Sequence, residues 1–87
     1  MSLNRYNAKR DANERPIVEA YRRAGAKVLL LDQVDLLVLY KGKLFLREVK
    51  MPNGRLTKAQ ERLIAEGWPV ECVEDPIEAL KGIGAVK

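Results

Sequence analysis

Two apolar segments that flank Lys41 and Gly42 constrain the fold more than any other feature of the sequence. Residues 34–40 and 43–50 are rich in leucine and in β-branched or aromatic side chains, and a two-residue connection ending in glycine is typical of a β-hairpin. A similar segment at 27–31 precedes them and is joined by a tight turn of two residues. We therefore predict three successive antiparallel strands.

Capping residues, glycines and a proline mark further elements around these strands. The predicted elements are a helix that begins at Asp11 or Asn13 and runs to Ala24, a helix from Thr57 to Gly67, a fourth strand at 70–73 and a short helix that opens at Pro76. The strand-helix-strand step near the end requires a crossover, so the last pair of strands should be parallel. The sequence thus predicts an α/β fold with a mixed central sheet flanked by helices.

The chain has 87 residues, of which 47% are hydrophobic and 32% are charged, and this suits one small domain. Residues 1–10 are polar and basic, which is typical of a flexible arm, so 11–87 are predicted to form the single folded domain. The longest apolar run is far shorter than the roughly 20 residues that cross a bilayer. We therefore expect a soluble, cytoplasmic protein with no membrane partner.

The sequence contains no histidine and a single cysteine, Cys72. This composition excludes intramolecular disulfides, cysteine-cluster zinc sites and catalysis by a Ser-His-Asp or Cys-His arrangement. Any enzymatic chemistry must rest on carboxylates, lysine and a metal ion. Cys72 is expected to fill the sheet core, and Trp68 is expected to close the end of the second helix.

Polar side chains interrupt the apolar faces of four predicted elements. They are Glu14 on the first helix, Asp35 at the start of the second strand, Glu48 and Lys50 at the end of the third, and Gln60 on the second helix. Each alone has a structural explanation, such as a helix-dipole carboxylate, a surface ion pair or a satisfied core amide. Because all lie on faces turned toward the sheet, we expect them to converge. Converging carboxylates repel one another unless a cation lies between them, and oxygen ligands suit Mg²⁺ or Mn²⁺.

Charge is distributed unevenly along the chain. Six basic residues and one acid lie from Lys41 to Lys58, whereas acids predominate from Glu71 onward. A basic segment attracts a phosphate backbone, because each neutralised phosphate releases condensed counterions. The alternative is a solvated surface with no specific partner. The candidate phosphate contacts are Lys41, Arg47, Arg55 and Lys58, with Tyr6, Lys9 and Arg10 as further candidates in the arm.

The order of Asp35, Glu48-Val49-Lys50 and Gln60 on these elements resembles the PD-(D/E)XK nuclease superfamily. More narrowly, residues 46–60, with the sequence LREVKMPNGRLTKAQ, look like the signature of the VRR-NUC (virus-type replication-repair nuclease) family. The first helix is also similar to the opening helix of archaeal Holliday-junction resolvases. The resemblance implies a restriction-endonuclease-like core.

The resemblance also implies a metal site. Asp35 and Glu48 would bind Mg²⁺, or Mn²⁺ in its place, and the carbonyl of Val49 would add a ligand. Glu14 would complete or support this set. Asp32 remains a rival to Asp35, because members of the resembled family usually carry Gly-x-Pro-Asp after a longer loop, whereas Gln33-Val34-Asp35 here follows almost directly on the first strand.

The remaining site residues take roles in the chemistry by the same resemblance. Lys50 would orient or help to deprotonate the attacking water, and Gln60 would position Lys50 or that water. We expect a metal-dependent endodeoxyribonuclease, bacterial or phage-encoded, that acts as a homodimer on branched DNA such as four-way junctions. The alternatives are a non-catalytic nucleic-acid-binding module that keeps the nuclease fold, and an RNA-directed nuclease of the same fold.

Overall fold

The computed structural model describes residues 12–86, and the order of elements predicted from the sequence is confirmed there. The elements are α1 (Glu14–Arg23), β1 (Lys27–Leu30), β2 (Leu36–Tyr40), β3 (Lys43–Val49), α2 (Lys58–Ala65), β4 (Val70–Val73) and α3 (Pro76–Gly82). The predicted arm at 1–10, with its candidate contacts Tyr6, Lys9 and Arg10, lies outside the described residues. No helix within 12–86 is long and apolar enough to span a membrane.

The four strands form one mixed sheet in the order β1-β2-β3-β4. β1 pairs antiparallel with β2, β2 pairs antiparallel with β3, and β3 pairs parallel with β4. Lys41 and Gly42 form the predicted hairpin turn and have φ angles of 51° and 79°. Two successive positive φ angles are those of a type I′ turn, whose twist matches that of the strands it joins. The mixed-sheet prediction is therefore confirmed.

The connection between β1 and β2 is longer than the predicted two-residue turn. β2 begins at Leu36, so residues 31–35 all belong to the connection. The backbone N–H of Leu31 donates to the carbonyl of Asp35 at 2.8 Å and closes this loop. The side chain of Asp35 in turn accepts a hydrogen bond from the backbone N–H of Val49. A short acidic side chain that binds backbone in this way favours a loop over a strand.

One face of the sheet carries the hydrophobic core. Leu36 and Val38 of β2 are fully buried, and Ile17 and Tyr21 of α1 are buried with them. On β3 the core side is formed by alternate residues, and Leu36 and Val38 lie opposite Arg47 and Phe45. α1 and α3 contact each other, and they contact the edge strands β1 and β4 respectively. Each fully buried side chain of this size contributes roughly 1.5–3 kcal/mol to folding.

The opposite face of the sheet is largely open, which corrects one sequence expectation. Leu44 is 64% exposed, and Leu29 and Leu39 are also exposed. Cys72, predicted to fill the core, is exposed as well. Its register opposite Glu48 puts it on this second face. The core lies on the side of the other residues of β3, so the apolar content of this segment indicated the strand correctly but not the side that is buried.

The end of α2 leads the chain back to the open face. Gly67 has a φ of 102°, a region that suits glycine, and its N–H donates to the carbonyl of Ile64. The N–H of Trp68 donates to the carbonyl of Leu63 at 3.1 Å. These two bonds form a Schellman motif. Trp68 therefore closes the second helix, as predicted.

Candidate active site

Two carboxylates from neighbouring strands meet at one end of the sheet. Asp35 lies just before β2, and Glu48 is the next-to-last residue of β3. The N–H of Val49 donates to Oδ2 of Asp35 at 2.9 Å, and the N–H of Asp35 donates to Oε1 of Glu48 at 3.3 Å. Each carboxylate is therefore held by backbone of the neighbouring segment, and this fixes the two acids beside each other.

Lys50 and Gln60 converge on the same carboxylate of Glu48. The Nζ of Lys50 lies 3.3 Å from Oε2 of Glu48, and Nε2 of Gln60 donates to that oxygen at 2.6 Å. Glu48 itself is only 3% exposed. A buried carboxylate is tolerated when it is paired and hydrogen-bonded in this way. We refer to Asp35, Glu48, Lys50 and Gln60 as the Glu48 cluster.

The start of α2 fixes the orientation of Gln60. The side chain of Thr57 accepts from the N–H of Gln60, and Oε1 of Gln60 accepts from the N–H of Thr57 at 3.0 Å. This reciprocal capping box uses the amide oxygen of Gln60 and leaves the NH₂ group to face Glu48. The same residue thus begins the helix and holds the carboxylate.

The loop after β3 restrains Lys50. The N–H of Gly54 donates to the carbonyl of Met51 at 2.7 Å, so the chain turns back on itself. A Cβ at Gly54 would lie 3.1 Å from that carbonyl and 3.3 Å from Cδ of Lys50. Any other residue here would therefore press on the lysine stem, and glycine allows the loop to lie against it.

Electrostatics within the cluster disfavour the charged form of Glu48. Burial is the largest cause, and the nearby Asp35 carboxylate adds to it; together they raise the pKa of Glu48 to about 7. The Lys50 ammonium opposes this shift but does not cancel it. Two adjacent acids, one of which is paired with Lys50, thus leave an excess of negative charge that a cation would relieve.

Glu14, the third predicted carboxylate, lies in the first turn of α1. It is buried on α1 with the core residues Ile17 and Tyr21, and it lines a cleft with Leu30. Among residues 12–86, no three His, Cys, Asp or Glu side chains form a group that could hold a metal ion. The contacts of the cluster join Asp35 and Glu48, and Asn13, the residue before Glu14, donates its side-chain N–H to the carbonyl of Lys50 at 2.9 Å. The contribution of Glu14 to the set stays a prediction.

Two carboxylates are a donor set that suits Mg²⁺. This ion keeps several of its waters and is commonly held by one or two protein carboxylates together with substrate phosphates. Asp35 and Glu48 would hold it, and the predicted contribution of the Val49 carbonyl remains compatible with the position of Val49 directly after Glu48. Asp32 is exposed, whereas Asp35 contacts both Glu48 and Val49, so the geometry favours Asp35 over its rival.

The predicted phosphate contacts separate into two groups. Lys41, Arg55 and Lys58 are exposed, and Arg55 and Lys58 lie in the segment between Lys50 and Gln60. Arg47 is only 4% exposed. It points to the core face, and its side chain is engaged there, so its placement speaks against the predicted contact with phosphate.

The surroundings of Arg47 are those of a structural residue. Its guanidinium donates to the carbonyls of Leu46 and Gly82 at 3.0 and 3.3 Å. It lies 3.6 Å from a Glu71 carboxylate oxygen and stacks over the Phe45 ring at 5.0 Å. Arg47 thus ties β3 to β4 and to the end of α3. The two-residue period of β3 could have indicated this, because it places Arg47 and Glu48 on opposite faces.

Sequence reasoning missed an apolar cavity that adjoins the Glu48 cluster. The cavity has a volume of about 200 Å³ and is lined by Leu31, Gln33, Val34, Leu46, Leu63 and Trp68. Three of these residues lie one, two and three positions from a cluster residue, namely Val34 from Asp35, Leu46 from Glu48 and Leu63 from Gln60. The spacing was visible in the sequence, but the open sheet face that creates the cavity was not.

Comparison with protein-family models, with curated proteins and with solved structures finds no match to this chain. The elements and the sheet order define the fold class as α/β, with a four-stranded mixed sheet and, within residues 12–86, three helices.

Proposed function

We propose that this protein is a metal-dependent endodeoxyribonuclease of the VRR-NUC type, with a restriction-endonuclease-like core, that hydrolyses phosphodiester bonds. The observation that supports this most is the assembly of the Glu48 cluster, in which two acids, a lysine and an amide from separate segments meet at one end of the sheet. Two carboxylates this close together do not stabilise the fold, because the second acid raises the free-energy cost of burying Glu48 in its charged form.

Each residue of the site has a separate proposed role in hydrolysis. Asp35 and Glu48 would hold Mg²⁺, which when bound supplies positive charge beside the phosphate and lowers the pKa of water. Lys50 presents a positively charged donor next to these acids and is suited to hold a phosphate oxygen or to orient the water. Gln60 keeps the Glu48 carboxylate in place through its 2.6 Å hydrogen bond. The exposed Arg55 and Lys58 would bind flanking phosphates.

The test is to incubate purified protein with labelled linear duplex, forked and four-way DNA in Mg²⁺, in Mn²⁺ and in EDTA. We expect cleavage with either metal and none in EDTA. Cleavage that persists in EDTA would remove the metal mechanism. Binding without cleavage in every condition would favour the non-catalytic binding module, and cleavage of a labelled RNA in preference to DNA would favour the RNA-directed nuclease.

We further propose that the protein acts as a homodimer on branched DNA. One site reaches one strand at a time, whereas a two-fold dimer presents two sites to opposite strands. The exposed side chains of Leu29, Leu39 and Leu44 lie on the open sheet face, the last two next to the hairpin turn, and a second copy would cover them.

Light scattering across the micromolar range tests this assembly. We expect a dimer mass for the wild type and a monomer mass for Leu44→Lys, with Ile77→Lys as a matched control because Ile77 is equally exposed on α3. A monomer mass for the wild type would contradict the dimer. Equal cutting of linear and four-way substrates would contradict the preference for branched DNA.

A further inference from the structure

The apolar cavity beside the Glu48 cluster has the size and walls of a site for one small planar group. Its volume of about 200 Å³ lies below the roughly 300–1,000 Å³ of pockets that hold drug-sized ligands. Its walls are aliphatic except for the Trp68 indole and the Gln33 amide. An aromatic face, aliphatic walls and one amide are the groups that bind a nucleobase, which stacks through its face and hydrogen-bonds through its edge.

The position of the cavity connects it to the cluster. Leu46 lies two residues before Glu48 on the same face of β3, a distance of roughly 6.6 Å along the strand. Leu63 lies about one helical turn beyond Gln60 on α2. A nucleotide whose phosphate lies at the Glu48 cluster would therefore have the cavity within reach of its own base or of the adjoining one.

Trp68 is held in place but remains accessible. Its indole Nε1 donates to Oε1 of Glu66 at 3.2 Å, and its backbone N–H closes α2. The side chain is nonetheless 53% exposed. A restrained and accessible aromatic ring loses little conformational entropy on binding, so it is an effective stacking platform.

We propose that this cavity binds an unpaired nucleobase next to the scissile phosphate, with Trp68 as the stacking surface and Gln33 as the polar contact. This inference rests on the proposed nuclease function and explains how a branched substrate would be preferred. A paired base must leave its stack to enter, at a cost of a few kcal/mol, whereas a base at a fork or junction is already free.

The single tryptophan of the chain makes the cavity directly observable, since Trp68 is the only source of indole fluorescence. We would use the non-cleaving variant Asp35→Asn with Mg²⁺ and titrate it with two matched hairpin DNAs. One carries a single unpaired adenine at its end, and the other carries an abasic residue at that position. We expect strong quenching with the unpaired adenine and weak quenching with the abasic DNA.

Affinity and cleavage provide the second measurement. Trp68→Ala should weaken binding of the adenine hairpin by between about 5- and 150-fold, as loss of one base-aromatic stack does. Trp68→Phe should restore much of that affinity, and Gln33→Ala should keep the stack while reducing discrimination among the four bases. In the wild-type background, Trp68→Ala should lower cleavage of forked DNA relative to linear duplex, whereas Ile77→Ala should leave that ratio unchanged.

The outcomes separate this proposal from the nuclease function. Equal quenching by both hairpins, together with normal cleavage, would overturn the base site and leave the nuclease intact. Selective quenching without cleavage by the wild type would support the base site and contradict the nuclease.

Discussion

A buried charge has different surroundings on the two faces of the sheet, and the neighbouring residues Arg47 and Glu48 of β3 show the difference. Arg47 is buried on the core face, where carbonyls, an aromatic ring and one acid surround its single positive charge. Glu48 is buried on the other face beside a second acid, Asp35, in contact with only one lysine. Burial of a charged residue therefore does not itself indicate function. The surplus of like charge around Glu48 is the feature on which the proposed function rests.

The largest expected effect is the loss of the acids on the open face. Asp35→Asn or Glu48→Gln should abolish DNA cleavage while preserving or strengthening DNA binding, because the lost negative charge opposes the phosphates. Cleavage and binding assays on the same DNA check both parts. Glu19→Gln is the matched control, since Glu19 is a half-exposed acid of α1 in a surface ion pair. If Asp35→Asn cuts at the wild-type rate, the site is misplaced and Asp32→Asn becomes the next variant to measure.

Removal of the lysine on the same face should act on turnover. Lys50→Ala should lower kcat on the order of 100-fold or more, as expected for a positioned acid-base or electrostatic group. Lys81→Ala, at an exposed position on α3, should leave kcat unchanged. A Lys50→Ala enzyme that loses affinity but keeps its kcat would assign the lysine to substrate binding alone.

The same comparison predicts different results for two arginines. Arg47→Ala should lower the free energy of unfolding by about 3 kcal/mol, because it removes a buried cation and leaves its carbonyl partners unpaired. Arg55→Ala should leave stability unchanged and flatten the salt dependence of DNA binding by about one phosphate contact. Denaturant unfolding and binding at several salt concentrations check both. If Arg47→Ala is as stable as the wild type but loses DNA binding in a salt-dependent way, the result would support the phosphate contact that was predicted from the sequence.

The smallest effect concerns the pH dependence of stability. The pKa of Glu48 rises from 4.5 to about 7 on folding, so the folded protein binds the proton more tightly between these values. Stability in EDTA should therefore fall as the pH rises through this window, by up to about 3 kcal/mol. Glu48→Gln should remove this slope, and Mg²⁺ should reduce it because the metal favours the ionised carboxylate. A wild-type slope equal to that of Glu48→Gln would show that Glu48 is not desolvated.

The sequence predicted the helices and strands better than it predicted which face of the sheet is buried. The Lys41-Gly42 turn, the Gly67 helix end and the crossover to β4 depend on local chemistry and were confirmed. Cys72 was expected in the core and is exposed on the open face, because the two-residue period of a strand marks two faces without saying which of them the helices will cover. That choice depends on where α1 and α3 pack, which is a tertiary property.

The same difference between local and tertiary information applies to the candidate site. The four residues of the Glu48 cluster were predicted together and lie together. The β2–β3 hairpin brings the start of β2 beside the end of β3, and the short loop after β3 brings the first turn of α2 to the same end of the sheet. Glu14 was added on the apolar period of its helix, and it is buried with the other residues of that period; its part in the metal site stays a prediction. The cavity beside the cluster could not be predicted, since it depends on how far α2 covers the open face.

The central claim is that the acid surplus around Glu48 is a metal site for phosphodiester hydrolysis. The most direct test is a comparison of wild type and Glu48→Gln, purified in parallel, on one labelled four-way DNA with Mg²⁺ and with EDTA. We predict cleavage by the wild type in Mg²⁺ alone and none by Glu48→Gln, although both bind the DNA. Equal cleavage by the two proteins, or wild-type cleavage in EDTA, would contradict the claim.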